Sequence, residues 1–209
     1  MLNPFTQSRP TGIARIFTSL AAILFSALCT GCWVQSVYPF YSDTDIIVDT
    51  ELAGTWLGDG ELKGCVLNIN LESSTRTYTL AVSKNADGNS STPCQSATFE
   101  GKLIQIGGGR FIDMVPDPQT SWAASLDTLL KLNVGNQKLA LTPLDPEWVA
   151  NALNEKAVKL EGRVQEFGII PRISEVTLVS TTDDLRQFLR EADAKNAFRA
   201  SGEMHFTRK

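Results

Sequence analysis

A chain of 209 residues, 43% hydrophobic and 20% charged, has the composition of a globular protein large enough to bury a core. Its formal charge of −4, with no basic block, excludes a nucleic-acid binder that works through a cationic face. The single histidine, His205, excludes multi-imidazole metal sites and makes histidine-dependent catalysis rest on one residue.

Residues 1–31 have the three parts of a secretory signal. Arg9 and Arg15 supply a basic n-region without acids, and Ile16 to Leu28 form an apolar run shorter than the roughly 20 residues a spanning helix needs. Thr30-Gly31 then precede Cys32. This arrangement resembles the lipobox of bacterial lipoproteins, departing from it where Cys29 stands at a position that prefers Leu. The resemblance implies removal of 1–31, lipidation of Cys32 and attachment to a membrane of the cell envelope. Trp33 rather than Asp follows the cysteine, which points to the outer membrane.

Residues 32–50 are expected to form a membrane tether that becomes ordered. Its Tyr38-Pro39-Phe40-Tyr41 is aromatic enough to dock, and Asp43, Asp45 and Asp49 are expected as solvated loop charge. They lack the glycine and closing Glu of a Ca²⁺ loop. From Glu51 the pattern turns to β. Cys65, Leu67, Ile69 and Leu71 alternate with more polar neighbours, as do Tyr78, Leu80 and Val82. Residues 83–96 read as an exposed loop. Gly107-Gly108-Gly109 and Gly135-Asn136 read as hairpin turns, the first lacking the Lys-Ser/Thr that a phosphate loop requires.

Asp145-Pro146 opens a helix, with Asp as cap and Pro at the first helical position. A second helix starts near Thr181 and carries Leu185, Phe188, Leu189 and Ala192 on one face. Residues 156–176 fit neither period. Met204 and Phe206 alternate with His205 and Thr207 in a short final strand, expected at a sheet edge. The fold class is therefore α+β: an antiparallel barrel or sandwich over 51–144, with C-terminal helices plus a short strand over 145–209 packed on it.

Cys29 leaves with the signal and Cys32 takes the lipid, so Cys65 and Cys94 remain as a disulfide in an oxidising compartment. Gly54-Thr55-Trp56 resembles the Gly-x-Trp signature of lipocalins, which implies a tryptophan plugging one barrel end beneath an arginine, here Arg208. Yet the strand count along the chain falls short of eight, and Gly54 and Trp56 read more simply as a core anchor. Asp113, set among Phe111, Ile112, Met114 and Val115, is the acid whose surroundings could raise its pKa.

No metal, no cofactor and no nucleic-acid partner is expected. The expected function is a non-catalytic binding or assembly role at a membrane surface, toward an apolar ligand or an envelope protein. The competing reading is a carboxylate-dependent hydrolase of envelope glycans or lipids. An apolar cavity would favour the first, and two carboxylates facing one cleft the second.

Overall fold

The computed structural model describes residues 33–85, 94–117, 126–155, 159–167, 172–198 and 202–209. The signal segment and Cys32 lie outside the described residues, as does most of the loop expected between 83 and 96.

Eight of the described strands close an antiparallel barrel. They are β2 (Gly54–Gly58), β3 (Cys65–Glu72), β4 (Thr77–Lys84), β5 (Ala97–Ile106), β6 (Gly109–Pro116), β7 (Asp127–Gly135), β8 (Lys138–Pro143) and β11 (Met204–Arg208). From β2 to β8 each strand pairs with the next in sequence. The last, β11, then fits between β8 and β2 and completes the ring. The strand shortfall read from the sequence is thus corrected. In β2 only Trp56 is fully buried, so the strand lacks the alternation that marks β3 and β4. His205 also sits in a strand paired on both sides, not at an edge.

The lumen is filled by the strands' own side chains. Trp56, Leu67, Ile69, Tyr78, Leu80, Leu103, Ile112, Leu130 and Phe206 belong to one buried cluster there. The opposite faces of β5, β6 and β7 send Ile104, Phe111 and Leu129 into a second cluster outside the barrel. Burial on both faces explains why apolar residues stand side by side in these strands, as Leu103-Ile104, Phe111-Ile112 and Leu129-Leu130.

Two helices supply much of the second cluster: α1 (Pro146–Glu155) and α2 (Thr182–Ala194). Asp145 Oδ1 accepts from the backbone N–H of Glu147, 2.9 Å away, and so caps α1. Thr181 caps α2 by accepting from Asp184 N–H. The stripe Leu185, Phe188, Leu189 and Ala192 is buried as its spacing requires. The segment whose period was ambiguous contains two strands, β9 (Gly162–Phe167) and β10 (Arg172–Leu178), paired antiparallel.

The first described residues of the segment expected as an ordering tether join the sheet. A short strand, β1 (Trp33–Ser36), pairs parallel with β10 and antiparallel with the start of β7. It follows directly on Cys32. Beyond it, Phe40 is fully buried in the outer cluster. Two acids expected to be solvated have partners as well. Asp45 holds Arg186 of α2 through two bonds, Nε to Oδ2 at 2.6 Å and Nη2 to Oδ1 at 2.8 Å. Asp49 pairs with Arg110 of β6.

A disulfide joins Cys65 at the start of β3 to Cys94, with the Cα atoms 5.8 Å apart. Among the described residues, no helix is long and apolar enough to cross a membrane.

Candidate functional site: a carboxylate cleft under the N-terminal segment

Strand alternation places Asp113 on the outer wall of the barrel, because its neighbours Ile112 and Met114 fill the lumen. Its cross-strand partners are Lys102 on β5 and Leu129 on β7. Asp127 lies two residues before Leu129, on the same face, and pairs with Ser36 of β1. The chain leaving β1 crosses this wall, and Phe40 N–H donates to Asp113 Oδ2 at 2.9 Å. That crossing buries the acid: Asp113 is only 2% exposed.

A cleft of about 310 Å³ opens here, lined by Tyr41, Thr77, Glu100, Gly101, Lys102, Asp113, Val115 and Asp127. Asp113 Oδ1 is buried without a hydrogen-bond partner. Lys102 faces Asp113 in register, yet its ammonium is bound elsewhere, to Thr75 O and Thr77 Oγ1, each at 2.6 Å. The acid therefore has one oxygen held by the backbone and one left unsatisfied.

The electrostatics follow from this geometry. Burial pushes the Asp113 carboxyl well above the ordinary carboxylate range, and the charge of Asp127 pushes it further, against the bond from Phe40. Burial also raises Asp127, to about 6. The Tyr41 hydroxyl is pushed up to about 12 by burial, then by Asp113, Asp127 and Asp43. The cleft thus sets a buried acid that holds its proton well above the ordinary carboxylate range beside a second carboxylate that ionises around pH 6.

The other residues singled out from the sequence fall in different places. Trp56 closes one end of the barrel, its Nε1–H donating to Leu52 O at 2.9 Å, with Arg208 stacked over its ring. Gly54 has φ +144°, and a Cβ there would lie 3.2 Å from Arg208 Nη1, so the glycine leaves room for the arginine. The pair implied by the lipocalin resemblance is present. His205 points outward, its side chain 59% exposed and its Nε2 3.4 Å from Glu203. Among the described residues, no group of three or more His, Cys, Asp or Glu side chains could hold a metal ion.

Sequence reasoning found Asp113 from its apolar neighbours but missed Asp127 and Tyr41. Tyr41 stands out only as part of an aromatic run able to dock and Asp127 not at all, and it is the packing of residues 38–41 over the barrel wall that brings them together. No protein-family model, no curated protein and no solved structure matches the chain.

Proposed function

We propose that this protein is a lipid-anchored component of a bacterial cell envelope, attached through Cys32 to the outer membrane, with a non-catalytic binding role exercised at the outer wall of its barrel. The observation that carries the binding reading is the cleft bordered by Tyr41, Asp113 and Asp127, set on a barrel whose lumen is occupied by its own side chains. A polar ligand or partner at the wall suits this arrangement better than an apolar molecule inside it.

The anchor reading is supported by the position of β1. An acylated Cys32 would hold the barrel at the bilayer without a spacer, and Trp33 beside it is 37% exposed. Amphipathic rings favour that interfacial depth. Val37 and Tyr38, also exposed, continue the apolar character past β1, beside exposed Val179. Two acyl chains at about 0.8 kcal/mol per buried methylene suffice for stable attachment. Metabolic labelling with palmitate tests this: label should vanish in Cys32→Ala, and the variant should leave the membrane fraction. Undiminished label would refute the anchor.

The hydrolase reading draws support from the same two carboxylates. Against it, Asp113 is covered by the Phe40 backbone, and a glycan could reach it only if residues 38–41 moved away. Incubation of the purified protein with peptidoglycan should release no reducing ends. Release that Asp127→Asn abolishes would replace binding by catalysis.

A further inference from the structure

We propose that the cleft between β5, β6, β7 and residues 40–41 is a binding site for a small primary ammonium ion, with Asp113 Oδ1 and the Asp127 carboxylate as its acceptors. The proposal rests on the binding reading above and names its ligand class.

Three observations converge on a cation. Asp113 lines the cleft, is almost completely buried, and has no hydrogen-bond partner on Oδ1. A buried polar atom in that state gains a full hydrogen bond from an incoming N–H donor, because desolvation has already been incurred. Asp127, and beyond it Glu100, add negative charge to the same lining. Lys102, the cation among the described lining residues, is held by Thr75 and Thr77 rather than by either acid.

The cleft, at about 310 Å³, is larger than a bare ion needs. The absence of a metal-competent cluster among the described residues also turns the choice from a metal to an organic ammonium. Three N–H donors match the available acceptors: Asp113 Oδ1, the Asp127 carboxylate and the Tyr41 oxygen.

Proton balance makes the binding pH-dependent. Where Asp113 is protonated, the arriving R–NH₃⁺ displaces its proton to solvent, and the acid binds as a carboxylate. One proton leaves for each ammonium bound, so affinity should rise about tenfold per pH unit while Asp113 remains protonated in the free protein. The charged and titratable groups facing it are Lys102 and Glu100 from β5, Asp127 from β7, and Tyr41 with Asp43 from the segment above.

Mature full-length protein in detergent, titrated with ethylammonium chloride against sodium chloride of equal ionic strength, tests the proposal. The readout is the ¹⁵N–¹H resonance of Phe40, whose amide donates to Asp113. A saturable shift is expected with ethylammonium alone, tightening as pH rises through the range in which Asp113 gives up its proton. Asp113→Asn should weaken it at least tenfold. Lys102→Met, which removes a competing cation from the wall, should bind at least as tightly as the parent. The proposal is overturned if sodium produces the same shift, if affinity does not change with pH, or if Asp113→Asn binds as the parent does. It is equally overturned if ethylammonium binds only once Lys102 is gone, since Lys102 would then be the cleft's own occupant. Palmitate labelling of Cys32 is independent of every one of these outcomes, so failure of the anchor and failure of the cleft are told apart.

Discussion

The guanidinium carbon of Arg208 lies 4.6 Å from the centre of the Trp56 ring, over its face. The same guanidinium donates to the carbonyls of Glu51 and Ala53. One side chain from the closing strand β11 thus caps the core tryptophan and gathers the chain entering β2. A cation over an indole contributes about 0.5–2 kcal/mol, depending on desolvation. Arg208→Leu should therefore cost about 1–3 kcal/mol once the two lost carbonyl bonds are included. Trp56→Ala should cost about 3–5 kcal/mol, as for large aromatic truncations in cores. Urea unfolding measures both, and a loss below about 1 kcal/mol for Trp56→Ala would show that the ring does not anchor the barrel.

The Asp45–Arg186 pair fastens the N-terminal segment to α2. Burial works to raise the Asp45 carboxyl, but the bonds from Arg186 and Ser42 outweigh it and hold its pKa below the usual value. A depressed carboxylate stabilises the fold above its unfolded pKa, and that contribution fades as pH falls through the folded one. Arg186→Met should cost about 1.5–3 kcal/mol at pH 7, the range for hydrogen bonds to charged groups. The loss should shrink below pH 4. Equal losses at pH 7 and pH 3 in urea melts would refute the pairing.

Asp113 has the opposite sign. Its folded pKa is raised, so between the unfolded value of 3.8 and the folded one the native state holds a proton that the unfolded chain has released. Stability falls as pH rises across that window, and Asp127 adds to the fall up to about pH 6. Asp113→Asn keeps an acceptor for Phe40 N–H and removes the titration. Its stability relative to the parent should increase from pH 5 to pH 8. Parallel pH profiles for the two proteins would mean that Asp113 is ionised at little cost.

The Cys65–Cys94 disulfide fastens the chain entering β5 to the start of β3, with a sequence separation of 29. The chain-entropy model gives about 3–4 kcal/mol for a loop of this length. Cys65→Ser/Cys94→Ser should lose about that much, with little change in the far-ultraviolet spectrum. Peptide mapping without reduction should recover the two cysteines linked, and two freely alkylated thiols in protein taken from the envelope would refute the bond in the cell.

Much of the barrel was legible because β3 and β4 have one face in the lumen and one toward solvent, so Cys65, Leu67, Ile69, Tyr78 and Leu80 stand out at period two. The caps of α1 and α2 were legible for a similar reason, since Asp145, Pro146 and Thr181 act on adjacent residues. What stayed hidden depends on contacts distant in sequence. Asp45 meets Arg186 across 141 residues and Asp49 meets Arg110 across 61, so nothing near either acid marks it as paired. The cleft was half visible. The apolar neighbours of Asp113 betray its burial, but its cover, Tyr41 included, comes from a segment whose Phe40 lies 73 residues away. That segment looked like a leash because its strand is only four residues long.

The place of β11 has a bearing on how the protein is made. The ring lacks its eighth stave until residues 204–208 are available to sit between β8 and β2. A chain emerging from its N-terminus can assemble the hairpins from β2 to β8 in order, yet both free edges stay open until synthesis has passed Arg208. Open edges are templates for pairing with other chains. Until the closing strand arrives, the uncovered edges of β2 and β8 are where a mispairing would start.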